Sequence, residues 1–119
     1  MDILTGVAVL ALSQGSVAMD VASNELIAQR NEAAIERIEA NDRLERDDPA
    51  RLINLGIAHA REGRVEEARQ MFREVATSDA AVRLELAGGE WIDSRDLARR
   101  ALRMLDRGEF GGRSRVTMR

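Results

Sequence analysis

Moved along itself by 34 residues, the sequence meets its own pattern again: Val21 and Ala22 fall on Leu55 and Gly56, Ala34 and Ile38 on Ala68 and Phe72, and Arg30-Asn31-Glu32 on Arg64-Val65-Glu66. A period of that length is one supersecondary unit written twice. A unit so small cannot bury its own apolar face and must stack on a neighbour. A chain of 119 residues has room for one such stack with a modest core, not for two comfortable domains.

The second copy is the better written. Asp48 can accept main-chain N–H groups at a helix start, and Pro49 suits the first helical position, where its missing N–H costs nothing. The spacing predicts a helix from Pro49 to about Glu62, a tight reversal at Gly63, and a second helix from Val65 to about Thr77 with Ala68, Phe72 and Val75 facing inward. Counted from Pro49, the residues Leu52, Leu55, Gly56, Gly63, Ala68 and Phe72 fall in register with the signature of the tetratricopeptide repeat. The segment therefore resembles that family, although His59 and Ala80 stand where it prefers Tyr and Pro. Residues 15 to 48 resemble a degenerate first repeat, with Ala18 at a position where a large residue is preferred and Asp20 available as a helix cap. The fold expected is mainly α, a short helical-hairpin solenoid.

Composition agrees with helices built on Ala, Leu, Ile and Val: 45% of residues are hydrophobic, only 3% are aromatic and one is Pro. There is no cysteine, which excludes disulfides, thiolate nucleophiles and Cys-bound metal. All 18 basic residues are Arg, so Schiff-base chemistry on Lys is excluded too. The net charge of −3 hides an asymmetry. Residues 1–94 carry 18 acids against 10 Arg (−8), and residues 95–119 carry 8 Arg against 3 acids (+5). An acidic body with a basic end suggests head-to-tail association or an anionic partner, within the reach that salt screening allows.

Three further segments complete the organisation. From Ile3 to Met19 no residue is charged, and the apolar run Ile3–Leu12 ends in polar residues and Ser16-Val17-Ala18. Residues 1–18 thus read as a signal peptide with a mature start at Met19, which would make the protein periplasmic or secreted, or else as an apolar helix covering the end of the stack; Asp2 and the lack of an early Arg fit the first reading poorly. The run is too short for a permanent membrane span. Val82, Leu84 and Leu86 alternate with charged residues ahead of Gly88-Gly89 and Glu90-Trp91-Ile92, the pattern of a small β-hairpin over about 82–92. Asp93-Ser94 then caps a last helix, Arg95 to Arg107, which with residues 19–94 makes up the helical domain (19–107). Residues 108–119 are expected to be a disordered basic tail.

No catalytic constellation emerges, and neither a cofactor nor a metal is expected. His59 and Glu62 lie one turn apart, but no second histidine completes a metal site; Ser23 and Ser94 lack a base and a nucleophile elbow. Nucleic-acid binding is disfavoured by the acidic domain and the shortage of aromatics. The resemblance implies a non-catalytic module that binds a protein or peptide partner, its groove lined by the first helix of the clear repeat: Ala50, Ile53, Asn54, Ile57, Ala60 and Arg61. Asn54 falls where relatives that clamp a peptide carboxylate place Asn, but their accompanying Lys residues are missing here. Arg95, Arg99, Arg103 and Arg107 recur every fourth residue, a basic row suited to an anionic partner or to a solvated outer face, with Asp96 placed to pair with Arg100. Trp91 is expected beneath the hairpin. The rival expectation is a self-associating structural protein in which the apolar N-terminus serves as a core or interface helix.

Overall fold

A computed structural model describes residues 11–12 and 22–110. The expectations for the rest of residues 1–21 and for the tail beyond Phe110 lie outside these residues. The described chain is mainly helical with a small antiparallel sheet. In chain order it consists of β1 (Ala11–Leu12), α1 (Ser23–Ile27), α2 (Asn31–Glu39), α3 (Pro49–Arg61), α4 (Val65–Ala76), β2 (Arg83–Leu86), β3 (Trp91–Asp93) and α5 (Ser94–Asp106).

The α3/α4 hairpin forms as its sequence dictates. The Asp48 carboxylate accepts the Arg51 N–H at 3.0 Å, and Pro49 opens the helix. Gly63 takes φ 86°, a left-handed conformation that glycine adopts without a Cβ penalty. Where α3 and α4 cross, a Cβ on Gly56 would stand 2.5 Å from Cε1 of Phe72. The missing side chain at Gly56 is what lets the fully buried Phe72 ring lie against α3.

The 34-residue repetition is visible in the backbone. After α3, Gly63 N–H donates to Ala60 O (3.1 Å) and Arg64 N–H to His59 O (2.9 Å). After α1, Gln29 N–H donates to Leu26 O (3.0 Å) and Arg30 N–H to Glu25 O (2.8 Å). Arg30 and Arg64 then enter the next helices at φ/ψ of −94°/74° and −90°/74°. Both reversals satisfy helix-end carbonyls through a left-handed residue, but the first uses Gln29, at φ 63°, where the second uses glycine. The first hairpin is also shorter: α1 has five residues and begins from Ala22 at φ 59°.

Packing runs in sequence order, α1 on α2, α2 on α3, α3 on α4 and α4 on α5. A single apolar cluster joins every helix through residues such as Leu26, Ile38, Ile53, Phe72 and Leu97. β2 is the central strand, antiparallel to β1 (Ala11 opposite Leu86) and to β3 (Glu85 opposite Trp91). Leu84 and Leu86 face the core while Arg83 is exposed. Trp91, expected underneath, instead shares the outer face with Glu85 and is 50% exposed. A directly opposed antiparallel pair points to one side of a sheet, and Ile92, one residue on, takes the inward place. The strand-to-helix joint is held by Ser94: its N–H donates to Val82 O (2.7 Å), its hydroxyl accepts from Val82 N–H (3.0 Å), and Asp93 caps α5 by accepting from Arg95 N–H (2.7 Å). The ordered chain continues past the expected boundary at 107, because Gly108 and Glu109 close α5 with the same kind of turn and Phe110 stacks on Phe72 with ring centroids 6.0 Å apart.

Candidate functional site

The inner face of α3 is where the resemblance places a groove. Ala50, Ile53, Asn54, Ile57 and Ala60 are all buried, none more than 2% exposed. This face packs against the chain's own elements, α1, α2, β1 and α5 among them, so it is core and not an open groove. Among the described residues no buried side-chain nitrogen or oxygen is left without a hydrogen bond, Asn54 included.

Arg61, at the end of the same face, is half-buried and joins the two hairpins. Its Nη1 donates to the main-chain carbonyl of Leu26 at 2.8 Å and to Asn31 Oδ1 at 3.3 Å; Asn31 Nδ2 in turn donates to Glu62 Oε2 at 3.0 Å. Burial lowers the Arg61 pKa, yet a guanidinium stays charged in proteins, so the clamp is a cation on neutral acceptors, one of which, Asn31, links it to the Glu62 carboxylate. Beside it runs a second tie between hairpins. Arg64 Nε donates to His59 Nδ1 (2.9 Å) while Arg64 Nη2 donates to Glu32 Oε2 (3.0 Å). Burial of the imidazole and the Arg64 charge hold the His59 pKa below its ordinary value. The hydrogen-bond partner of His59 is thus a guanidinium, and among the described residues no three His, Asp or Glu side chains converge in a way that could hold a metal.

The arginine row on α5 is largely paired. Arg95 lies 3.7 Å from Asp93, Arg99 pairs with Asp96 at 2.7 Å and Arg107 with Glu109 at 2.9 Å, while Arg103 is exposed. Asp96 was expected to meet Arg100 one turn on; it meets Arg99 instead, since i+3 and i+4 neighbours are both within reach on a helix.

Two surface features escaped sequence reasoning. One is the exposure of Trp91. The other is a cleft of 640 Å³ between the end of α2, the 40–48 loop, α3 and α4. Leu52, Leu55 and Met71 form its floor, and Glu39, Glu45, Asp47 and Glu74 stand around it. Arg46, Arg51 and Gln70 complete the lining, and Arg51 Nη1 donates to Arg46 O at 3.0 Å. The run of charges from Asp42 to Asp48 was its one visible signal.

No protein-family model, no curated protein and no solved structure matches this chain.

Proposed function

We propose that this protein is a non-catalytic binding module, a short tetratricopeptide-like stack whose task is to hold a protein or peptide partner. The reading is carried by the helical reversal that recurs after 34 residues at Gln29-Arg30 and Gly63-Arg64, together with the Gly56–Phe72 crossing. Because the α3 face is buried, the contact surface of this reading moves to the outside of the sheet. There Trp91 is half exposed on β3, which among the described residues is an edge strand of the sheet. Exposed tryptophan is a frequent anchor of interfaces, and a free strand edge offers main-chain hydrogen bonds to an extended peptide.

A photo-reactive amino acid at position 83, exposed on that same outer face, tests the reading in the cells that make the protein. The expected result is an adduct whose mass is not a multiple of the 13.2 kDa chain, lost in Trp91→Ala. Adducts of the chain with itself alone would sink the partner reading in favour of self-association.

The pairing of β1 with β2 favours an N-terminal segment that stays with the fold over one removed on export. The intact mass of the protein from its own cells decides between them. A chain starting at Met19 would have lost β1 and supports a periplasmic or secreted protein; a full-length chain supports retention.

A further inference from the structure

The geometry points to an occupant for the α2–α3–α4 cleft: the C-terminal segment of this same chain, residues 111–119. The contact holds whether or not the protein has an external partner.

The cleft is unbalanced in charge. Its lining carries four carboxylates, Glu39, Glu45, Asp47 and Glu74, against two guanidiniums, Arg46 and Arg51, and among the described residues none of the four lies within ion-pair distance of an Arg. Beneath these carboxylates lies an apolar floor, Leu52, Leu55 and half-buried Met71. A complementary ligand is therefore an extended segment with one basic and one apolar side. Residues 113–119 read Arg-Ser-Arg-Val-Thr-Met-Arg, with three Arg and no acid. In an extended chain alternate residues face opposite ways, so Arg113, Arg115 and Arg119 fall on one side and Val116 and Met118 on the other. Only the two apolar side chains need to enter, and a volume of 640 Å³ is within the usual range of ligand pockets.

The segment starts close enough. Phe110 stacks on Phe72, the residue next to Met71 on α4. A helix with its side chains is about 10–12 Å across, and the six steps from Phe110 to Val116 reach about 20 Å when extended, enough to pass around α4 and bring Val116 to the cleft. Gly111-Gly112 supplies the bend. Tethering makes the contact intramolecular, at an effective concentration on the order of millimolar, which lets modest surface ion pairs suffice.

The experiment uses the full chain. It contains no cysteine, so Thr117→Cys, on the arginine side of the segment, carries a single nitroxide label. The readout is paramagnetic broadening of the Met71 methyl resonance in dilute protein. Broadening at Met71 is expected. It should be independent of protein concentration, and Arg113→Glu/Arg115→Glu should cut the docking equilibrium by about fivefold for each reversed charge. Raising salt from about 0.1 M to about 1 M shortens the screening length from about 10 to about 3 Å and should act in the same direction. The proposal is overturned if Met71 is not broadened, if the charge-reversed chain broadens it equally, or if the effect passes only from labelled to unlabelled molecules in a mixture. The last result would assign the cleft to the tail of a second copy.

Discussion

Replacing Gly56 with alanine sets two effects of opposite sign against each other. Gly56 lies inside α3, where alanine is intrinsically preferred to glycine by about 1 kcal/mol; on propensity alone Gly56→Ala stabilises the protein. The added methyl, however, would lie 2.5 Å from Cε1 and 3.0 Å from Cδ1 and Cζ of Phe72. That ring cannot simply retreat, since it is fully buried and has Phe110 stacked on it. Overpacking of a close-packed core costs about 1–3 kcal/mol, and a collision with three ring atoms belongs in the upper part of that range. The expected net effect is a loss of about 1–2 kcal/mol, read as a lower midpoint in urea with an unchanged slope, followed by far-ultraviolet circular dichroism. In a Phe72→Leu background the same substitution should lose most of its penalty, because the ring edge it meets is gone. A Gly56→Ala protein as stable as its parent would refute the close crossing as the reason for the glycine.

The two reversals give a matched pair of tests. Gln29→Gly should stabilise by about 1 kcal/mol, since it relieves a side chain held at positive φ, and Gly63→Ala should destabilise by a similar amount; nothing lies within 4 Å of a Cβ at Gly63, so only the backbone contributes there. Arg61→Met should cost about 1–2 kcal/mol by removing a charged donor from Asn31 Oδ1 and from the Leu26 carbonyl, which keeps the Gln29 N–H, measured in the same urea transitions; a neutral result would mean the clamp is replaced by water. His59, with its pKa lowered in the fold against about 6.5 in the unfolded chain, binds protons more weakly when folded. Its contribution is complete above that unfolded value and is lost as pH falls toward the folded one. A proton-NMR titration of the ring should give a pKa under 6.5, and His59→Gln should remove that part of the pH slope; a ring pKa above 6.5 contradicts the Arg64 contact.

Local signals carried the helical hairpin well. Asp48-Pro49, Gly63 and the stripe Ala68, Phe72, Val75 each act within their own neighbourhood, and the alternation of Val82, Leu84 and Leu86 marks a strand in the same way. What covers a surface is not local. Ile53, Ile57 and Ala60 would be apolar whether a partner or the chain itself lay over them, so their burial was illegible. Arg61 finds a main-chain carbonyl at Leu26, an acceptor that every residue carries and no sequence advertises. Trp91 sits on a strand of three residues, too short for alternation to assign its face; that came only from pairing with Glu85. The first reversal hid behind Gln29, since a residue other than glycine gives no notice of positive φ.

The order of the sheet has a consequence for how the chain is assembled. An open solenoid can form unit by unit as it leaves the ribosome, each repeat docking on the one before. Here β1 must wait. Its residue Ala11 pairs with Leu86, beyond all four of the first helices, so the earliest strand to be synthesised is among the last to find its place. Closing so long a loop raises the contact order of an otherwise local fold, and slows the final step relative to hairpin formation. The helices should therefore gather first and the sheet should seal them, the N-terminal strand remaining open to other encounters until β2 has emerged.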